Sequence, residues 1–426
     1  MSRAGTGLLA QVADRLGLTR ALSRRLVGLK QRRRGHDPGR VIRDLAVMLA
    51  DGGECVADLG AVRDQQALFG SVASDSTAFR VIDRIASEPG LLDALRAAHA
   101  RARERFWELD GAPERLTIDV DATLISAHSE KENAAGTYKG GFGFHPLQAY
   151  ADETHEALGG LLRPGNAGAN TAADHQAVLD RALAQIPVGH LERIEILVRA
   201  DSAGATHGLI DYCREQDLRF SVGYELTAPV RAAILGLPED AWVSALDQDD
   251  SERPNGEVAE ITDRVELSCW PEGSRLIVRR ERPHPGAQLS FTDHDGHRFL
   301  ATLTDLPGDA VELECLRARA NTEDRIRAAK QTGLANLPFR DFDHNSVWVE
   351  ISLIAEDLIT WTQHLALDAE LAVCEPKTLR YRLLHTAARL AFHARQATLR
   401  LQRTWPWAKT LAAAFARLAA LPPPAR

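Results

Sequence analysis

Apolar residues recur at three- and four-residue spacing through the first hundred positions, in LLAQVADRLGL, RVIRDLAVMLADG and STAFRVIDRIAS, and predict amphipathic helices separated by short polar turns. Ser74, Asp75, Ser76 and Thr77 supply N-cap chemistry to the third of these, whose Arg80 and Arg84 share a face. At residue 115 the period changes to two. In RLTIDVDATLISAH, Leu116, Ile118 and Val120 alternate with Thr117, Asp119 and Asp121, which predicts a strand. GFHPLQAYAD and EALGGLLRPGN read as two further strands, TAADHQAVLDRALAQI as a helix, and RIEILVRAD as a fourth strand, apolar on both faces. The helix ATHGLIDYCREQ and a fifth strand, LRFSVGYE, follow.

Three antiparallel strands, a helix, a strand, a helix and a strand is the element order of an RNase-H-like core, an α/β fold with a mixed five-stranded sheet. Between 228 and 306 the order breaks. A helical piece (PVRAAILGL), a polar Asp/Glu-rich stretch and the strand-like runs VELSCW, RLIVRRER and HRFLATLTDL predict a β-rich insertion. CLRARANTEDRIRAAKQTGL and VWVEISLIAEDLITWTQHLAL restore the helical period, and further helices are expected from Lys377 to a Pro-rich tail. The expected regions are helical 1–112, core 113–227, insertion 228–306, core resumed over 307–370, and a basic helical 371–426.

A chain of 426 residues is long for one ordinary core, and 45% hydrophobic with 26% charged residues excludes disorder. No apolar run approaches the roughly 20 residues of a membrane span, and Asp14 and Arg15 interrupt the first apolar stretch, so no membrane role and a cytoplasmic address are expected. Five scattered cysteines without CxxC spacing suggest core thiols rather than disulfides or zinc ligands. The net charge of −8 hides a strong asymmetry: residues 1–40 carry +8, residues 377–426 hold ten Lys/Arg and no acid, and the middle is left with −26. An acidic centre between basic ends suits an enzyme that binds divalent cations centrally and phosphates peripherally, although charge on solvated helix faces would also account for the ends.

Phosphodiester chemistry at neutral pH needs an activated oxygen nucleophile and charge stabilisation on the attacking and leaving oxygens, which two divalent metals supply when held by a few carboxylates at element ends. Asp121 in the first core strand, Asp201 at the end of the fourth and Glu323 on a later helix form such a set. Asp201 taken alone could simply cap the following turn. An acid in an otherwise apolar strand is a stronger signal, because a buried carboxylate needs a cation or hydrogen bonds. Asp119 shares a face with Asp121 and is an alternate or additional ligand; Asp121 is favoured because Ala122 and Thr123 follow it. Arg319, Glu323, Arg327 and Lys330 fall on one helix face, as surface ion pairs or as phosphate contacts around a ligand. His128 and His145 read as hydrogen-bonding core or loop residues, since hard-metal sites rarely use imidazole.

IDVDAT, VRADSAG and ARANTEDRIRAAK, the last after a β-rich insertion, resemble the three carboxylate motifs of bacterial cut-and-paste insertion-sequence DDE transposases, most closely insertion-sequence family thirteen-eighty within the insertion-sequence-four-like group. That group's third motif runs Tyr, two residues, Arg, three residues, Glu, six residues, Lys. Arg319, Glu323 and Lys330 fit it, while Leu316 stands in place of the Tyr. The resemblance implies two Mg2+ ions, replaceable by Mn2+, on Asp121, Asp201 and Glu323. It also implies double-stranded DNA partners (terminal inverted repeats and target DNA), a homodimer in the DNA complex, and DNA binding by the helical N-terminal region. Arg319, Arg327, Lys330, Lys377 and Arg380 are the expected DNA contacts. Trp242 and Trp270 in the insertion read as core residues, although related transposases use an aromatic there against a flipped base. An RNase-H-like nuclease without strand transfer, and an inactive transposase-derived DNA-binding protein, are the alternatives.

Overall fold

The alternating stretch from Arg115 forms β1 (Arg115–Ala122), which occupies the middle of a mixed sheet. The computed structural model describes the whole chain apart from residues 31, 33, 128–129, 248–250, 284–292, 319–321, 394–395 and 425–426. After β1 the chain makes a small three-stranded sheet from β2 (Ile125–Ser126), β3 (Ala135–Gly136) and β4 (Phe142–Phe144). β5 (Leu147–Ala151) returns antiparallel to β1, and β6 (Ala157–Leu161) lies antiparallel to β5. β7 (Glu195–Ala200) pairs parallel with the other edge of β1, and β8 (Arg219–Tyr224) pairs parallel with β7. The order β6-β5-β1-β7-β8 is the RNase-H-like arrangement anticipated from the element order.

The β-rich region after β8 does not stand apart from this sheet. β9 (Val243–Leu246), β10 (Glu252–Glu260), β11 (Arg275–Glu281) and β12 (Arg298–Thr304) extend it to nine strands, because β12 pairs antiparallel with β8. The edge of β8 that would otherwise be open is thereby covered. β10 comes from the polar stretch rather than from an apolar run; Glu257 pairs with Arg280 at 2.7 Å and Arg253 with Glu281 at 3.1 Å, cross-strand contacts that let charged residues sit in a ladder. VELSCW, expected as a strand, is a turn. The Glu266 side chain accepts from the Ser268 amide at 2.9 Å, local bonding that competes with a ladder.

The N-terminal helices Gly7–Arg15, Pro38–Ala50, Asp75–Ser87 and Pro89–Asp110 pack round the 25-residue helix Phe342–Ala366, most of whose residues are buried. Asp37 caps the second of them by accepting from the Arg40 amide at 3.0 Å, with Pro38 at the first helical position where its missing N–H costs nothing. Arg103, wholly buried, joins three elements. Its Nε donates to Glu156 Oε1 at 3.0 Å and its Nη2 to Asp357 Oδ2 at 2.5 Å, while Trp107 and Trp361 donate to the same Glu156 at 2.7 and 2.8 Å. A single hydrophobic cluster consequently runs from Leu8 to Leu418.

Around Glu323 the described residues form the helices Ala310–Ala318 and Thr322–Ala329, the second passing into a π-turn at Lys330–Leu334, and the expected face that begins at Arg319 lies partly outside the described residues. Two expectations are corrected. The C-terminal region is not all helical: after a short helix at Pro376–Leu379 it forms a hairpin of β13 (Ala388–His393) and β14 (Gln396–Leu401) before the helix Ala408–Ala420. Leu390, Leu399 and Leu401 belong to a two-residue alternation on one face of this ribbon, unlike Leu379 and Leu383, which keep helical spacing. None of the five cysteines is in a disulfide, but only Cys213 and Cys315 are buried, and Cys269 is exposed. Among the described residues no helix is long and apolar enough to cross a membrane.

Candidate active site

β1 and β7 run in parallel register with Asp119 beside Arg199 and Val120 beside Ala200. The next residue on each strand is an acid, Asp121 and Asp201, so the two carboxylates emerge side by side at the carboxyl ends of neighbouring strands, where open α/β sheets place their ligand crevices. Asp121 is half-buried and takes one hydrogen bond, from the Ala122 amide at 2.7 Å. Asp201 is exposed. One of its oxygens accepts from the Ala203 amide at 2.9 Å and so caps the turn Ser202–Gly204, as the capping reading foresaw, which leaves the other oxygen for a ligand. Glu323, exposed in the first turn of Thr322–Ala329, lines the same cleft of about 400 Å³ as both aspartates.

The Asp121 carboxyl is pushed up from 3.8 to about 6, first by burial and then by the charges of Asp201, Asp119 and Glu323. Among the described residues no lysine or arginine forms an ion pair with Asp121, Asp201 or Glu323. An all-oxygen donor set with this uncompensated negative charge fits a hard divalent cation. Among the described residues no three acidic or metal-ligating groups already stand at ligand spacing round one point, so the set is two adjoining aspartates with the glutamate lining the same cleft.

Asp119 has a different environment. It is 3% exposed, and Arg199 holds it with Nε on Oδ1 at 2.5 Å and Nη2 on Oδ2 at 2.7 Å. The same guanidinium reaches Asp152 at 2.9 Å and donates to the Leu316 carbonyl, the position where the motif would have a Tyr. Burial pushes the Asp119 carboxyl up and Arg199 draws it back. Arg199 was not among the expected residues; an arginine inside an apolar strand two positions before Asp201 is the signal that marks it.

Further unforeseen arginines line the same cleft: Arg317, Arg253 and Arg279. Arg317 donates to the Ala200 carbonyl at 2.9 Å beside Asp201, and Gly223 on β8 makes room for it. A Cβ at Gly223 would lie 2.7 Å from the Ser202 nitrogen and 2.9 Å from Arg317 Nη2. Arg253 and Arg279 are tied to Glu281 and Glu314.

Of the expected DNA contacts, Arg319 lies outside the described residues, as does His128. Lys330 is half-buried near Asp121; burial and Lys139 lower its ammonium pKa, and Asp121 opposes them. Arg327 is exposed and pairs with Asp324 at 2.9 Å and Glu375 at 3.1 Å, and Lys377 is exposed. Arg380 is not placed to meet DNA. It is buried, donates to the carbonyls of Ala50 and Gln331, and is pushed down to about 10 by desolvation. Arg80 bonds Thr77 and Arg84 pairs with Glu88. Trp242 is buried under Arg280, 4.4 Å from its ring centre; Trp270 stacks on His207 at 4.2 Å and bonds Tyr224. His145 is a buried loop residue within 3.3 Å of the Ala167 carbonyl.

The family model described as Transposase DDE domain group 1 matches residues 1–423. Among solved structures, the cryo-EM structure of a piggyBac transposase synaptic complex with hairpin DNA is similar at a TM-score of 0.43 and 10% identity, over 90% of this chain and 80% of that one. No curated protein matches the chain.

Proposed function

The chain belongs to the transposase DDE domain group 1 family, and from that premise we propose that Asp121, Asp201 and Glu323 are the metal-binding carboxylates with which it cuts and rejoins DNA. The observation that carries this reading is that Asp121 and Asp201 follow directly on the paired parallel strands β1 and β7 and share one cleft with Glu323, where burial and the other acids push the Asp121 carboxyl up, a charge imbalance that a cation relieves. Two Mg2+ ions, or Mn2+ in their place, would supply an activated nucleophile and stabilise charge on the attacking and leaving oxygens when bound there.

The chain's own residues do the rest. Arg199 neutralises Asp119 and fixes the β1–β7 pair, so that Asp121 and Asp201 project together. Asp119 is therefore assigned to the scaffold and Asp121 to the ligand set. Arg317 in the cleft, with Lys330 near Asp121, presents a guanidinium and an ammonium group to backbone phosphates. The reaction is nicking at the terminal inverted repeats of an insertion sequence, followed by attack of the freed 3′-hydroxyl on target DNA, in a cut-and-paste cycle. The element is of the family thirteen-eighty type, and two copies of the chain act together on two ends in the bacterial nucleoid.

Strand cleavage and joining of a duplex carrying the element's own ends, with Mg2+ or Mn2+ added, tests the assignment. Asp121→Ala, Asp201→Ala and Glu323→Ala each abolish cleavage while end binding persists. Normal cleavage by Asp201→Ala refutes it, and cleavage without joining by the unaltered chain would identify a nuclease.

A further inference from the structure

Six described arginines of the last fifty positions fall into two groups. Arg382 pairs with Glu370 at 2.7 Å, Arg417 pairs with Asp368, and Arg380 is buried. Arg389, Arg400 and Arg403 are exposed and, among the described residues, form no ion pair. Arg389 and Arg400 stand directly opposite each other in the β13–β14 register, on the same face of the ribbon. No acid occurs anywhere from 377 to 426. Like charges placed directly across an antiparallel pair destabilise it, and an isolated two-stranded ribbon is marginal in water, so this face is costly to the free protein.

The ribbon is nevertheless held firmly at its base. Met1 and Ala388 exchange two hydrogen bonds of 3.0 Å, and the Ala4 amide donates to the Thr386 carbonyl at 2.9 Å. Its other face carries Leu390, Leu399 and Leu401, all half-buried, with Leu401 packed on the core. Aromatic rings cluster beside the base: Tyr381, 69% exposed, lies 6.2 Å from Trp405, and Trp407 stands 5.3 Å beyond, under Arg382.

We propose that the β13–β14 ribbon is a DNA-gripping arm, which lays the face of Arg389 and Arg400, with Arg403 in the turn just beyond β14, along the phosphates of duplex DNA. The major groove of B-DNA admits a two-stranded ribbon, and its phosphates supply the counter-charge that the chain itself withholds here. A second copy of the chain docked ribbon to ribbon would oppose arginines to arginines, so charge complementarity selects nucleic acid over self-association. The arm rests on the reading of the chain as a DNA-processing enzyme and adds to it a surface remote in sequence from the carboxylates.

The test is fluorescence anisotropy of a labelled mixed-sequence duplex over a salt series, for the full chain and for the triple variant Arg389→Ala/Arg400→Ala/Arg403→Ala. Each lost phosphate contact lowers the slope of log affinity against log salt by about 0.9, so the variant loses about 2 to 3 in slope and about tenfold or more in affinity at moderate salt. The Arg→Lys triple variant, which keeps the charge, retains the slope. Metal-dependent cleavage at saturating protein survives in the Ala variant, which separates the arm from the catalytic reading. Unchanged slope and affinity in the Ala variant overturn the arm. So does loss of self-association with DNA affinity intact, which would make the ribbon a contact between copies. Failure of the unaltered chain to bind duplex at all overturns the reading on which the arm rests.

Discussion

Arg199 and Asp119 form a bidentate ion pair between neighbouring parallel strands, at 2.5 and 2.7 Å, each two residues before a carboxylate of the cleft. The pair gives one of four clustered acids a counter-charge of its own, although the Asp119 charge still helps to raise the Asp121 carboxyl. It also leaves Asp121 as the acid of β1 with no charged partner and a raised pKa.

Removing one half of this pair should be far worse than removing both. Arg199→Met leaves Asp119 buried without its counter-charge and costs about 3–5 kcal/mol in urea unfolding. Arg199→Met/Asp119→Leu recovers most of that loss, because an apolar pair needs no charge compensation. A single variant with the wild-type urea midpoint would show that the pair does not support the fold.

Asp121 makes stability depend on pH in a definite sense. Its folded-state carboxyl, at about 6 against 3.8 in the ordinary range, holds its proton more tightly than in the unfolded chain. That favours folding below about pH 4, and the advantage is lost as pH rises to about 6, a change of roughly 2–3 kcal/mol. The stability gain of Asp121→Asn over wild type should therefore grow across that window and level off above it, in metal-free buffer. A difference that is flat from pH 4 to 7 rules this out.

Glu323 is exposed, so Glu323→Gln should leave the metal-free unfolding temperature unchanged. Mn2+ at about a hundred times its dissociation constant adds roughly 2.7 kcal/mol to a protein that binds it only when folded. The variant loses most of that gain in a thermal melt. Equal metal-induced stabilisation of both proteins would remove Glu323 from the ligand set.

Arg380 should behave as a structural residue rather than a DNA contact. Arg380→Ala abandons the carbonyls of Ala50 and Gln331 in a buried place and costs about 2–3 kcal/mol by denaturation. The salt slope of duplex binding stays as in wild type. A lowered slope with unchanged stability would return Arg380 to the DNA surface.

The order of strands and helices was legible in the sequence because hydrophobic period reports which faces of an element are covered. Residues 115–224 alternate or run apolar as a half-buried or buried sheet requires, and acids at the ends of two such strands, followed by a third on a helix, marked the cleft. Period cannot say what does the covering. That Asp119 is held in an ion pair while Asp121 is not depends on a guanidinium 80 residues from Asp119, and the join of the β-rich region to the core depends on β12 meeting β8. Arg380 looks like any basic surface residue until the chain folds Ala50 and Gln331 against it. These outcomes were decided by tertiary structure alone, since long-range contacts set the burial and charge balance of each group, and local sequence carries no record of which distant partner arrives.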